Sequence, residues 1–191
     1  MSGTKIMTKR LDLLAGSVEL SRAEISDRER FAELLGAHVP PAWPPPFNDE
    51  ASMEWSARIH EANGAAVGWG GWYFLLRDDR SNARTAIGGG GFKGPPTPEG
   101  AVEIGYSLLE EHQGKGYATE AIQAIVAWAF EHPEARRVIA ETSPELGSSI
   151  RLLEKCRFRL VGPGSEAGSL LYELPRDAFR PRGSRPSAPP Q

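Results

Sequence analysis

Val102-Glu-Ile-Gly-Tyr-Ser-Leu-Leu-Glu-Glu-His-Gln-Gly-Lys-Gly-Tyr-Ala-Thr-Glu-Ala121 is the stretch on which the reading of this chain turns. Its first part alternates. Val102, Ile104, Tyr106 and Leu108 share one face and Glu103, Gly105 and Ser107 the other, the period of a half-buried strand. After Gly116 the period becomes 3.6: Ala118, Ile122, Ile125 and Ala129 form a stripe, Glu120, Gln123, Ala127 and Glu131 lie opposite, and Pro133 ends the run, as in an amphipathic helix. The turn Gln113–Gly114–Lys115–Gly116–Tyr117–Ala118 joins the two. A glycine-rich turn at a helix start aims several backbone N–H groups in one direction, with the positive end of the helix dipole behind them. Such a site suits a phosphate or pyrophosphate. Gly114 and Gly116 let the main chain approach a ligand without an intervening Cβ, and Lys115 adds a charge at the rim. The physics predicts an anion site, nucleotide-like in kind, without saying which nucleotide.

Two other phosphate loops fail the test of context. A Walker loop needs Ser or Thr after its Gly-Lys, and Gly116 follows Lys115. Gly89–Gly90–Gly91–Phe92–Lys93–Gly94 spells GxGxxG, but Pro95, Pro96 and Pro98 stand where a dinucleotide fold requires a helix. These glycines read better as a twisted or bulged strand end.

Outward toward the N-terminus, 84–93 and 66–77 read as strands on either side of a turn cluster at 78–82, so that with 101–108 they predict an antiparallel meander. Residues 48–61 read as a helix with Asn48 able to cap it, and 39–47, with five prolines around Trp43, as an extended loop. Helical patterning over 17–35 suggests two short helices, the second capped by Ser26 or Asp27, and 10–14 a first strand after a loose opening segment. Toward the C-terminus, 137–142 is a short strand, a helix begins near 143–144 or at 148 and runs to Lys155, and 158–161 with 170–174 form a closing hairpin. The last residues lack apolar content, which predicts a disordered tail. The expected domain is 10–175, with 176–191 as the tail.

Composition narrows the function. The chain has 191 residues and a net charge of -3, enough for one domain with a substantial core and without the basic excess of a dedicated nucleic-acid binder. Cys156 is the single cysteine, and His38, His60, His112 and His132 lack metal-ligand spacing, so neither a disulfide nor a metal site is expected. No secretory leader or membrane-length apolar run is present, which predicts a cytoplasmic protein.

The run 102–121 resembles the signature of the GNAT superfamily of N-acetyltransferases, and within it the RimJ/RimL-like branch of ribosomal-protein N-terminal acetyltransferases. Gln113 to Ala118 matches the family's Gln/Arg-x-x-Gly-x-Gly/Ala at each fixed position. Ser149-Ile-Arg-Leu-Leu-Glu-Lys-Cys-Arg-Phe158 resembles the family's next helix and following strand. Three positions depart from the pattern. Leu146 replaces a usual Asn, Arg157 stands where glycine commonly takes a left-handed conformation, and Leu153 where many relatives carry a tyrosine acid.

The resemblance implies an α/β fold, a mixed and mostly antiparallel sheet of about seven strands flanked by helices. Strands four and five would splay to admit the pantetheine arm of the cofactor, acetyl-CoA. It implies cofactor contacts from Ser107, Leu108, Gln113, Gly114, Lys115, Gly116, Tyr117, Ala118 and Thr119. It further implies direct attack of a primary amine on the thioester. Glu103, the one carboxylate of its strand, is the candidate base, against the plainer reading of a glutamate paired with an arginine or exposed at a strand edge. Ser149 is the candidate acid or cofactor ligand, against a serine that satisfies a helix start. Backbone N–H groups near Gly105 to Ser107 are candidate oxyanion donors. Trp43 and Trp72 are candidate acceptor-site residues, against ordinary packing. Cys156 reads as packing and His112 as a solvated loop residue. The expected partner is a small-molecule or peptide amine acceptor, not nucleic acid or a membrane, and a homodimer is left open. Two other readings fit the same residues: a catalytically idle acyl-CoA-binding or sensing module, and a nucleotide-binding regulator.

Overall fold

A computed structural model describes residues 4–63 and 67–180. Its strands are β1 (Lys5–Met7), β2 (Leu11–Ala15), β3 (Gly71–Arg77), β4 (Arg84–Phe92), β5 (Ala101–Leu108), β6 (Arg137–Thr142), β7 (Arg159–Pro163) and β8 (Leu170–Pro175). Its helices are α1 (Val18–Ser26), α2 (Arg28–Leu35), α3 (Glu50–Asn63), α4 (Tyr117–Phe130) and α5 (Gly147–Lys155). The strands form one open sheet in the order β1-β2-β3-β4-β5-β6-β8-β7. Every pair is antiparallel except β5 with β6. A parallel neighbour needs a crossover, and α4 supplies it.

Each face of the sheet carries its own apolar layer. On one, Leu11, Leu13, Trp72, Phe74, Val102, Ile104 and Leu108 meet the α4 stripe of Ala121, Ile122, Ile125 and Ala129, together with Leu153 of α5. On the other, Tyr73 and Leu75 meet Leu20, Phe31, Leu35 and Trp43. The division follows the strand period of two, which sends Trp72 and Tyr73 to opposite faces. Helix α3 leans on α1 through ion pairs from Arg22 to Glu54 and Glu61.

Several sequence expectations hold, and others shift for identifiable reasons. The sheet has eight strands rather than about seven, because Lys5–Met7 adds an edge strand. Three residues with two exposed side chains carry no alternation to read. Asp27 caps α2, accepting from Arg30 N at 3.0 Å. Asp49, not Asn48, caps α3, accepting from Ser52 N at 2.9 Å, because the Asn48 amide turns inward to Glu24. Helix α5 starts at Gly147, and β3 starts at Gly71, later than expected. The glycine run lies within β4, so no helix follows it. Of the expected tail, residues 181–191 lie outside the described residues. Arg176–Ala178 form a 3-10 turn. Arg176 donates there to the carbonyls of Phe130, His132 and Ala135, and Phe179 packs on Phe130, so the packed chain runs past 175. No helix among the described residues is long and apolar enough to cross a membrane.

Candidate active site

The site lies where the parallel pair parts. β5 and β6 are in register only over Ala101–Glu103 with Arg137–Ile139. Beyond that β6 continues with β8, leaving one edge of β5 open. These are the fourth and fifth strands when the count starts at β2, the pair expected to splay. Lys93 N donates to Glu103 O and Leu109 N to Ile87 O, so odd-numbered residues of β5 bond to β4. By alternation the main-chain groups of Ile104, Tyr106 and Leu108 face the opening. The Leu108 carbonyl is already taken by the Gln113 side chain at 3.0 Å. Of the groups near 105–107, then, the Tyr106 N–H is the one left on the open edge.

At the end of β5 the chain turns through Glu110–His112 and enters the glycine loop. Gly114 and Gly116 have φ of 72° and 79°, conformations glycine takes without penalty. No side chain caps α4. Glu120 N is the first to be satisfied, by Gly116 O at 3.1 Å, and the N–H groups of residues 114 to 119 donate to no acceptor among the described residues. Unsatisfied N–H groups at a helix start form an anion cradle. Tyr117 and Ala118 are half-buried around it, Lys115 is exposed at its rim and Thr119 is buried beneath.

Arg10 holds this loop, a role the sequence did not signal because the two lie over a hundred residues apart. Its Nη1 donates to the Lys115 carbonyl at 3.0 Å, its guanidinium lies 4.3 Å from the centre of the Tyr117 ring, and its Nε pairs with Glu120 at 2.8 Å. Burial would raise the Glu120 carboxyl, but hydrogen bonds from Thr8 and Arg10 outweigh it and hold it below its usual value. The negative charge of Glu120 in the first turn of α4 is thereby matched, and it does not repel an anion at the loop.

On the α1–α3 face a cavity of about 710 Å³ opens over β3, β4 and β5. Gly89, Gly90 and Gly91 form its floor, where a Cβ on Gly90 or Gly91 would run into the backbone of the neighbouring strand. Ser107 also lines it, with its hydroxyl donating to the Pro46 carbonyl, which ties β5 to the proline loop. Trp43 lines it too, although its indole is 8% exposed and packs on Phe31 and Tyr73. The Trp72 indole lies on the other face against Trp128, donating to Gly68 O. Phe47 and Trp55 are exposed at the mouth. His60 bonds Ser21 Oγ through Nδ1 at 2.7 Å, and burial pushes its pKa down, toward the neutral ring.

Glu103 pairs with Lys93, which lines the cavity, so the carboxylate adjoins the cavity through that ammonium. Ser149 in α5 lies 2.9 Å from the Tyr106 hydroxyl, across the opening between β5 and β6. Burial pushes the Tyr106 hydroxyl up to about 12, partly offset by its hydrogen bond with Ser149. Tyr106 was legible only as part of an apolar stripe, because alternation does not say where a stripe leaves the core. Leu153, where the resemblance implies a tyrosine acid, is fully buried in the core. Cys156 is buried with its Sγ near the Thr119 carbonyl, and His112 is half-buried beside the loop.

An open αβ sheet whose one parallel pair parts beside a bare helix N-terminus defines an acyl-CoA-binding transferase class. The chain belongs to the GNAT acetyltransferases: the family model described as an acetyltransferase (GNAT) domain matches residues 17–159. A Bacillus subtilis (strain 168) protein, the uncharacterized N-acetyltransferase YjdG, is 28% identical over 165 residues, covering 86% of this chain and 95% of its own. Two solved structures share the fold. RimL, a ribosomal L7/L12 α-N-protein acetyltransferase in complex with coenzyme A, superposes with a TM-score of 0.63 at 18% identity, over 92% of this chain and 99% of its own. A ribosomal-protein-S5-alanine acetyltransferase from Vibrio fischeri superposes with a TM-score of 0.60 at 19% identity, over 93% and 100%. The cofactor of the family is acetyl-CoA.

Proposed function

We propose that the protein transfers an acetyl or other short acyl group from CoA to a primary amine held in the cavity over β3–β5. The observation that carries this is the run of unpartnered N–H groups at 114–119, continuous with the open edge of β5. Acetyl-CoA supplies an activated thioester. Gly114 to Thr119 would hold its pyrophosphate, with Gln113 fixing the loop to β5, Ser107 and Leu108 bordering the arm, and Lys115 adding charge at the rim. The Tyr106 N–H is the donor available to the developing oxyanion. Glu103 takes the proton of the acceptor ammonium, relayed by water past Lys93, so that the amine attacks as a neutral nucleophile. Ser149 gives its proton to the departing sulfur as the carbon–sulfur bond breaks, the Tyr106 hydroxyl bonded to it restores that proton, and the second proton shed by the attacking nitrogen returns through solvent to Tyr106. Trp43 walls the acceptor side, with the backbone of Trp72 beneath. The domain that does this is 10–175 together with the edge strand that precedes it at Lys5–Met7 and the turn that closes it.

The test is thermal unfolding with acetyl-CoA, CoA, ATP and NAD, followed by CoA release with amines. A ligand at about a hundred times its Kd adds about 2.7 kcal/mol. Acetyl-CoA should raise the midpoint, and Gly114→Asp should abolish the rise by placing a carboxylate in the cradle. A larger shift with ATP would sink the reading. A shift without CoA release for any amine would leave an idle acyl-CoA-binding module.

A further inference from the structure

Among the carboxylates of this protein, Glu24 in α1 stands apart. Its Oε1 accepts from Trp43 Nε1 at 3.0 Å and from Asn48 Nδ2 at 3.3 Å, and its Oε2 accepts from the Tyr73 hydroxyl at 2.7 Å. All three donors are neutral. Burial pushes its pKa up against these bonds, and no basic side chain among the described residues lies within ion-pair distance. Asp12, which is fully buried, has three cations around it, whereas Glu24 is half-buried and has none among the described residues. Buried carboxylates are ordinarily matched by a cation or fully hydrogen-bonded. A carboxylate offers about four acceptor sites, so one remains, on the oxygen that meets only Tyr73, and Glu24 lines the cavity.

The rest of the lining carries the same sign. Asp49 is a second carboxylate of the wall, and Lys93, the one cation among the described lining residues, is matched by Glu103. The aromatic rings of Trp43, Tyr73, Trp55 and Phe47 favour a cation by their π faces. Position separates Glu24 from the reacting end. Tyr73, Gly89 and Ser107 lie side by side across β3, β4 and β5. At about 4.8 Å per strand, the tyrosine that holds Glu24 is about 10 Å from the strand that borders the opening.

We infer that Glu24 is the specificity-determining residue for an acceptor that carries a second protonated group, docked on its carboxylate while the first amine reaches β5. This rests on the transferase reading above and names its substrate class.

The experiment measures acetyl transfer to linear α,ω-diamines of increasing length and to n-alkylamines of equal length. The wild-type protein should prefer the best diamine by about ten- to a hundredfold in kcat/KM, the worth of a hydrogen bond between charged groups. Glu24→Gln should keep the fold, through the same three partners, and reduce that preference to about twofold or less by raising KM for the diamine alone. Glu24→Asp keeps the charge one methylene further back, and its preference should survive and move to a longer diamine. A peptide pair differing only by lysine or norleucine at its second residue tells a basic peptide from a small diamine. Equal kcat/KM for the two amine series in the wild type, or an equal loss for both in Glu24→Gln, overturns the assignment. If neither series is acetylated, the transferase reading fails, and calorimetry on the CoA-saturated protein judges Glu24 separately. Diamine binding lost in Glu24→Gln then supports it, and no binding to the wild type overturns it.

Discussion

Arg157 has φ of 69°, a left-handed conformation that glycine takes more readily. Phe158 N donates to Leu153 O and Arg157 N to Glu154 O, each at 2.9 Å, the bonds of a Schellman end with Arg157 as its left-handed residue. A side chain there costs about 1 kcal/mol relative to glycine. Arg157→Gly should therefore stabilise the protein by about that amount in denaturant unfolding, with acetyl-CoA binding unchanged. The Tyr106–Ser149 pair makes a catalytic prediction at the same scale. Ser149→Ala should lower kcat about a hundredfold, the lower end of what a positioned acid contributes, with KM for acetyl-CoA little altered. Because Tyr106 is pushed up to about 12, its hydroxyl keeps its proton below that pH, and wild-type kcat should show no fall near the ordinary tyrosine value of 10.0.

At the scale of elements, the glycine loop depends on its anchorage. The strand, loop and helix of 102–121 were legible as a unit because their periods and glycines are local. The clamp from Arg10 was not, since nothing in a local pattern links the β1–β2 turn to the start of α4. Arg10→Gln should weaken acetyl-CoA binding about tenfold by freeing the Lys115 carbonyl and leaving Glu120 uncompensated beside the anion site, an electrostatic loss of the size helix-terminus charges carry when partly buried. Calorimetric titration at low and high salt checks it, and the difference between variant and wild type should shrink as salt rises. The glycine run of β4 is a second case. Its spelling suggested a nucleotide fingerprint and its context a strand end; packed between β3 and β5 it forms a cavity floor.

Across the whole molecule, Asp12 ties the first four strands together. It is fully buried in β2 and bonded to Lys5 of β1 at 2.7 Å, Arg77 of β3 at 2.7 Å and Arg84 of β4 at 2.6 Å. Burial, the largest influence, pushes its pKa up, but the hydrogen bonds from the three cations together hold it at about 2, below the ordinary 3.8. A carboxyl depressed on folding stabilises the folded state fully above its unfolded value and loses that contribution as pH falls through the folded one. Acid unfolding should thus steepen between about pH 4 and pH 2. Asp12→Asn should lack that arm and lose about 3 kcal/mol at neutral pH, because three partly buried cations are left without their anion.

The sequence by itself determined the family, the glycine loop and the elements other than the edge strand β1, because hydrophobic period, glycine placement and helix ends are properties of neighbouring residues. What only the tertiary structure decided is which distant residues meet. Trp72 and Tyr73 were equivalent aromatic neighbours until the strand placed one under α4 and the other over the cavity. Glu103 was a lone strand carboxylate until packing set Lys93 against it. Tyr106 was one member of an apolar stripe until the parting of β5 from β6 brought its hydroxyl to Ser149. Glu24 was an ordinary helix glutamate until the proline loop carried Trp43 and Asn48 onto it. Burial and the field of neighbouring charges set what a carboxylate or hydroxyl can do, and both are sums over the folded molecule rather than over the chain.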